Sequence, residues 1–157
     1  MSKSKSKSKL LVPALISAST IVLISVILLI QSPNTGWSEN FPGTPRKDNI
    51  TGTAQDDFIV GGVGADNLNG SGGNDEIDGG DGGDVIVGGD GNDVIFGGVG
   101  NDIINGGNGN DQLFGGPGAD NMTGGPGADY FDCGLSVDHV LDYNATQGDV
   151  KALNCES

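Results

Sequence analysis

One large apolar residue recurs every nine positions through the middle of the chain, and each lies in a short stretch without glycine between Gly-rich segments. Such stretches predict short strands joined by turns. Successive side chains of a strand point to opposite faces, so the recurring residue should share one face along the whole series. Strands this short are not stable alone, so we expect them to stack with this residue inside. The series comprises Ile59, Leu68, Ile77, Ile86, Ile95, Ile104, Leu113, Met122 and Phe131.

Residues 52–132 divide into nine consecutive nine-residue units without insertion or deletion. Position 1 of every unit is Gly, positions 2 and 4 are mostly Gly, position 6 is always Asp and position 8 is the recurring apolar residue. Glycines at positions 1, 2 and 4 allow a positive φ, as a tight recurring turn requires. Two units form one 18-residue coil, which predicts an all-β solenoid of parallel strands.

Stacking brings the position-6 carboxylates of alternate units together in two rows. Residues 52–132 carry 15 acidic residues and no Lys or Arg, so the charge that balances these rows has to come from cations in solution. Carboxylate and main-chain carbonyl oxygens together suit Ca²⁺ better than Mg²⁺ or Zn²⁺. One row contains Asp57, Asp75, Asp93, Asp111 and Asp129, and the other contains Asp66, Asp84, Asp102 and Asp120.

The units match the pattern GGxGxDxUx, and by this pattern 81 of the 157 residues resemble the RTX (haemolysin-type) calcium-binding repeat proteins. The resemblance implies a right-handed parallel β-roll with Ca²⁺ between successive coils. It implies as ligands the nine Asp residues named above and the carbonyl groups of Gly62, Gly80, Gly89, Gly98, Gly107, Gly116 and Gly125. Without calcium, we expect a disordered Gly/Asp-rich chain.

Stacked pairs of carboxylates leave four gaps in one row and three in the other, so at most seven ions are expected. Thr53 and Gln55 stand where the pattern has Gly, and Ser71 replaces another position-2 Gly. These departures should weaken the site between them. We therefore predict about five to seven calcium ions.

The segment before the repeat contains a basic start, an apolar stretch and a polar connection. Residues 1–9 hold four of the seven basic residues, residues 10–30 have no charge, and residues 31–51 read as a flexible linker. An apolar stretch of this length predicts an uncleaved transmembrane signal anchor, with a cleaved secretory signal or a buried soluble helix as alternatives. By the positive-inside rule, residues 1–9 lie in the cytoplasm and the repeat lies outside it, on the cell membrane or secreted after cleavage.

Residues 133–157 follow the repeat and read as a small C-terminal cap, with the register ending at Asp132. Cys133 and Cys155 are the only cysteines. Outside the cytoplasm they are expected to form a disulfide, and two free thiols are the alternative.

The charge and the motifs exclude several classes of function. The formal net charge of −14 argues against nucleic-acid binding. His139 is the only His, and neither G-x-S-x-G nor H-E-x-x-H occurs, so we predict no enzyme. A surface structural or adhesion module is the first expectation, with a cell-surface protein or glycan as partner. A calcium buffer or sensor and an accessory subunit of a secreted toxin or hydrolase are the alternatives.

One outer face of the predicted solenoid is unusually apolar. It is a candidate docking surface for the tail or a partner, and scattered exposed apolar residues without a role are the alternative. This face carries Phe58, Val60, Val94, Phe96, Phe114 and Tyr130.

Overall fold

A computed structural model describes residues 39–155, which form thirteen short strands and no helix. No helix in this range is long and apolar enough to cross a membrane. The helix expected over residues 10–30 lies outside the described residues. The strands are β1 (Asn40–Pro42), β2 (Asn49–Thr51), β3 (Phe58–Val63), β4 (Asn67–Gly72), β5 (Glu76–Asp81), β6 (Val85–Asp90), β7 (Val94–Phe96), β8 (Ile103–Asn108), β9 (Gln112–Phe114), β10 (Asn121–Thr123), β11 (Tyr130–Asp132), β12 (His139–Val140) and β13 (Val150–Lys151).

The strands alternate between two parallel sheets, as the nine-residue period predicts. Odd-numbered strands form a seven-stranded sheet in the order β1-β3-β5-β7-β9-β11-β13, and even-numbered strands form a six-stranded sheet. Most neighbouring strands are in register at a spacing of 18 residues, so that Ile77 is paired with Ile95 and Ile95 with Leu113. Residues 39–155 therefore form a parallel β-solenoid, which confirms the predicted fold class of the repeat.

The space between the two sheets is filled by the recurring apolar residue of each unit. All nine of these side chains are at most 2% exposed. Position 8 is thus the interior position, and the predicted core is confirmed along the whole series.

The solenoid is longer at both ends than the sequence predicted. β1 and β2 lie within residues expected to be a flexible linker, and they pair with β3 and β4. The linker expectation is therefore wrong for residues 40–51, because Phe41 and Ile50 take the interior position and pack against the core. The register also continues past Asp132, since β12 pairs with β10 at the same 18-residue spacing.

The C-terminal residues cover the end of the core. Cys133 and Cys155 form a disulfide with their Cα atoms 5.0 Å apart, which confirms the predicted bridge and excludes the free thiols. Lys151 in β13 is paired with Phe131, and its Nζ lies 5.1 Å from the centre of the Tyr143 ring. A long cationic side chain thus takes the place of the next interior residue, which suits the exposed end of a solenoid.

Aromatic side chains stack along the outer face of the seven-stranded sheet. The rings of Phe96 and Phe114 are 4.9 Å apart and nearly parallel, and those of Phe114 and Tyr130 are 5.9 Å apart and tilted. The predicted apolar face therefore exists, and its use as a docking surface stays a prediction.

Candidate metal sites

The position-6 carboxylates form the two predicted rows, one at each turn edge of the solenoid. A main-chain N–H in each coil donates to a carboxylate 18 residues later, as from Asp75 to Oδ1 of Asp93 at 2.8 Å. The other row repeats this bond from Asp66 to Asp84 at 2.7 Å. One oxygen of each carboxylate is therefore a link between neighbouring coils.

The second oxygen of most row carboxylates has no partner. The nine predicted Asp side chains are at most 3% exposed, although carboxylates this buried are usually paired. A buried carboxylate oxygen without a donor is costly, so each is a strong candidate for a bound cation. The unpartnered oxygens are Oδ2 of Asp66, Asp75, Asp84, Asp93, Asp102, Asp111, Asp120, Asp129 and Asp138.

Burial also raises the pKa of seven of these carboxyl groups. For Asp102 it raises the pKa from the ordinary 3.8 to about 6, against a lowering by the hydrogen bond from the Asp84 N–H, while the charges of Asp120 and Asp84 raise it further. The pKa values of Asp75 and Asp111 are raised to about 6 for the same reasons. Burial raises the pKa of Asp84, Asp93, Asp120 and Asp129 as well.

The open carboxylate oxygens of Asp66 to Asp129 each lie close to the position-1 glycine of their own unit. A Cβ on Gly97 would lie 2.7 Å from Oδ2 of Asp102 and 2.6 Å from the carbonyl oxygen of Gly115 in the next coil. We call the space beside this glycine, which a side chain would fill, the oxygen cradle. Seven units share the same arrangement of an unpartnered Oδ2 and a carbonyl oxygen of the next coil, at Asp66, Asp75, Asp84, Asp93, Asp102, Asp111 and Asp120.

The cradle corrects the expected role of the position-1 glycines. They do not have positive φ, unlike the position-2 glycines, whose φ lies between +96° and +124°. Glycine is needed at position 1 because the carboxylate and the next coil approach too closely for a Cβ. The carbonyl groups in the cradle are those of position 1, which the sequence did not single out.

The carbonyl groups of the position-2 glycines, which the sequence did single out, point along the stack toward the next coil. The carbonyl oxygen of Gly80 accepts from the N–H of Val99 at 2.8 Å, and that of Gly116 accepts from Leu135 at 3.0 Å. Such an oxygen keeps a second lone pair, so its role as a ligand stays a prediction. The seven predicted groups, of Gly62, Gly80, Gly89, Gly98, Gly107, Gly116 and Gly125, recur at the same place in successive coils.

Four further acidic residues extend the two rows, although the nine-residue pattern did not predict them. Asp48 donates its N–H to Oδ1 of Asp66, and Glu39 donates to Asp57. Asp138 accepts from the N–H of Asp120 at 2.9 Å. Asp149 accepts from the N–H of Asp129 at 3.1 Å after an offset of 20 residues.

The donor set fits calcium. Each cradle combines a buried carboxylate oxygen with a main-chain carbonyl oxygen, and hard oxygen ligands of this kind are those of Ca²⁺. Among residues 39–155, no three His, Cys, Asp or Glu side chains converge on one point, so the carbonyl groups are an essential part of each set. The charged form of the carboxylate, which burial disfavours, is the form that such an ion would stabilise.

Comparison with known families gives a result that agrees with this chemistry. The model of the RTX calcium-binding nonapeptide repeat matches in four copies, over residues 42–77, 78–113, 99–131 and 106–138. These matches extend from β1 into the coil that contains Asp138, and they span more than half of the chain. No curated protein and no solved structure gives a match.

Proposed function

This chain belongs to the family of RTX calcium-binding nonapeptide repeat proteins, and from that premise we propose that it is a noncatalytic module displayed outside the cytoplasm which folds when calcium binds. Its repeats indicate calcium binding, as in the rest of the family. The observation that carries the proposal is the row of buried Oδ2 atoms without a donor. Each is a place where a divalent cation would replace a missing partner.

Calcium-dependent folding follows from the charge of the repeat. Residues 52–132 contain 15 acidic and no basic residues, and the coils bring nine of the carboxylates into buried rows. Seven divalent ions, one for each open cradle, would carry about fourteen positive charges and nearly balance this excess. Without them, burying the charged carboxylates opposes winding of the coils.

Display outside the cytoplasm is supported by two features at opposite ends of the chain. The basic start and the uncharged residues 10–30 favour a signal anchor with the repeat on the far side of the membrane. The disulfide between Cys133 and Cys155 suits an oxidising compartment. Millimolar calcium outside the cell would also fill sites of the weak extracellular kind.

A structural or adhesive role at the cell surface suits this arrangement best. The metal-binding repeat and its end coils account for nearly all of residues 39–155, and the stacked aromatic face on the seven-stranded sheet is available to a cell-surface protein or glycan. We propose no catalytic activity, because one oxygen of most buried carboxylates accepts a hydrogen bond from the neighbouring coil and the other is the proposed cation ligand.

Calcium binding is tested by titration calorimetry on the full-length chain in mild detergent, with magnesium as the competing ion. We expect Asp102→Asn to lower the number of bound calcium ions by one. Asp81→Asn, which removes the same charge from an exposed side chain, should leave the number unchanged. Equal loss in both variants would show that net charge alone, and not the cradle, determines binding.

Location is tested separately by fractionation of cells that express the full-length chain. We expect the protein in washed membranes, with the repeat accessible to protease added from outside after calcium removal. Recovery of the protein in the cytoplasm with Cys133 and Cys155 reduced would contradict the proposed display. Co-purification with a hydrolase would instead favour the accessory-subunit alternative.

A further inference from the structure

The carboxylates at the N-terminal end of the rows differ from those in the middle, because the protein itself supplies their donors. Oδ2 of Asp57 accepts from the N–H of Thr53 at 2.6 Å and from its hydroxyl at 3.0 Å. Oδ2 of Asp48 accepts from the N–H and the hydroxyl of Thr44 at 2.6 and 2.9 Å. Neither oxygen is among those without a partner.

The cause is the backbone conformation at position 2, which Thr53 occupies in its unit and Thr44 occupies in residues 43–51, one more unit that precedes it in the same register. Among residues 39–155, only Ser71 and Ser136 have positive φ without being Gly, so Thr44 and Thr53 do not adopt the glycine conformation. A β-branched side chain disfavours positive φ. The N–H of each Thr therefore turns toward its own carboxylate, whereas the N–H of Gly107 donates to the carbonyl of Gly124 in the next coil.

Ser71 provides the informative intermediate case. It replaces a position-2 glycine, yet its φ of +82° keeps the glycine conformation. Oδ2 of Asp75 in the same unit remains without a partner. The conformation at position 2, rather than the presence of a hydroxyl group, thus distinguishes a completed carboxylate from an open one.

We propose that the residue at position 2 selects which row carboxylates bind calcium, with Thr44 and Thr53 supplying protein donors in place of the ion at Asp48 and Asp57. This inference rests on the proposed calcium-binding function and adds the distribution of the ions along the solenoid. Asp57 has the cradle geometry in other respects, since a Cβ on Gly52 would lie 2.6 Å from its Oδ2 and 2.6 Å from the carbonyl oxygen of Gly70. Asp57 differs from the open carboxylates because Thr53 donates two hydrogen bonds to its Oδ2.

The last row member is completed in a similar way. Oδ2 of Asp149 accepts from the N–H of Asn144 at 2.7 Å. Hydrogen bonds thus complete the outermost row members Asp48, Asp57 and Asp149, whereas Oδ2 of Asp129 and of Asp138 still has no partner. Seven of the nine open carboxylates, those from Asp66 to Asp120, also face a carbonyl oxygen of the next coil, and these seven cradles give the number of ions expected in the wild-type chain.

Reciprocal substitutions at position 2 test this inference. The number of bound calcium ions is counted by native mass spectrometry on the full-length chain released from detergent, and circular dichroism checks that each variant is folded. We expect Thr53→Gly to raise the count from seven to eight and Ser71→Thr to lower it to six. Ser71→Gly is the matched control and should leave seven, because Ser71 already has the glycine conformation.

The outcomes separate this inference from the proposed function. A wild-type chain without bound calcium would contradict the proposed function itself. Wild-type binding with an unchanged count in folded Thr53→Gly would overturn the role of position 2 alone. If Ser71→Thr does not fold, the number of calcium ions bound by Thr53→Gly tests the inference alone. This variant is expected to fold, because most other units have glycine at position 2.

Discussion

The main-chain N–H of Asp84 donates to Oδ1 of Asp102 at 2.8 Å, while Oδ2 of the same carboxylate has no partner. In the seven units with an open cradle, the two oxygens of the buried carboxylate have different roles. One oxygen joins a coil to its neighbour, and the other faces the cradle. Calcium binding and the stacking of coils are coupled through a single side chain.

Calcium affinity should fall as the pH falls through 6, because protons compete for the same oxygens. Burial raises the pKa of Asp102 and Asp111 to about 6. One pH unit below this value, competition costs about tenfold in affinity for each such carboxylate. Calcium titrations at pH 7.5, 6.5 and 5.5 measure the shift, and a constant midpoint across this range would contradict it.

The same raised pKa values predict the opposite trend for the calcium-free chain. A carboxyl group with a higher pKa in the folded state than the unfolded value near 3.8 contributes stability that is complete below about 3.8 and lost as pH rises through about 6. We therefore expect strand content in chelator to be greater at pH 4.5 than at pH 7.5. Circular dichroism of the calcium-free chain at the two pH values provides the test.

Filling one cradle should remove one calcium ion. Gly97→Ala places a Cβ 2.6 Å from the Gly115 carbonyl oxygen and 2.7 Å from Oδ2 of Asp102, closer than any real Cβ contact. Gly83→Ala is the control, since its nearest neighbour is 3.3 Å away and Ala occurs naturally at that position of other units. We expect six ions in the first variant and seven in the second, counted by native mass spectrometry.

Two adjacent isoleucines on β8 test the interior face. Ile104 is 1% exposed and Ile103 is 52% exposed. With calcium in excess, Ile104→Ala should lower the free energy of unfolding by about 2–5 kcal/mol, and Ile103→Ala by less than about 1 kcal/mol. Urea unfolding of the two variants measures the difference, and equal losses would mean that position 8 is not the interior position.

The disulfide should stabilise the C-terminal end by restricting the unfolded chain. Cys133 and Cys155 are 22 residues apart, and closing a loop of this size contributes about 3 kcal/mol in the chain-entropy model. Replacing both with Ser should lower the free energy of unfolding in calcium by about this amount. The wild-type chain in reductant should match the double variant, and the double variant itself should not respond to reductant.

The sequence predicted the middle of the solenoid because the position-1 glycine, the position-6 Asp and the position-8 apolar residue all recur there every nine residues. It missed the unit at residues 43–51, although Asp48 and Ile50 keep positions 6 and 8, because Thr44 and Arg46 replace the glycines of the pattern. That unit needs no glycine at position 2, since the Thr44 N–H donates to the carboxylate of Asp48. A search on Asp and the apolar residue alone would have found it.

The C-terminal end was missed for a different reason. Asp138 and Val140 also keep their positions, but Cys133 and Ser136 replace glycine, and two extra residues then precede Asp149. Which carbonyl groups turn into the cradle could not be read from the sequence either. It depends on φ at each turn residue, and Ser71 shows that even the residue type does not determine φ.

Calcium-dependent folding of the coils is tested most directly by the far-ultraviolet circular dichroism of the full-length chain at pH 7.5 in excess chelator and then in millimolar calcium. We predict little strand signal in chelator and a cooperative gain of strand on adding calcium, with no comparable gain in magnesium. A full strand signal in chelator at this pH would contradict the claim that divalent cations are needed to hold the two rows of carboxylates together.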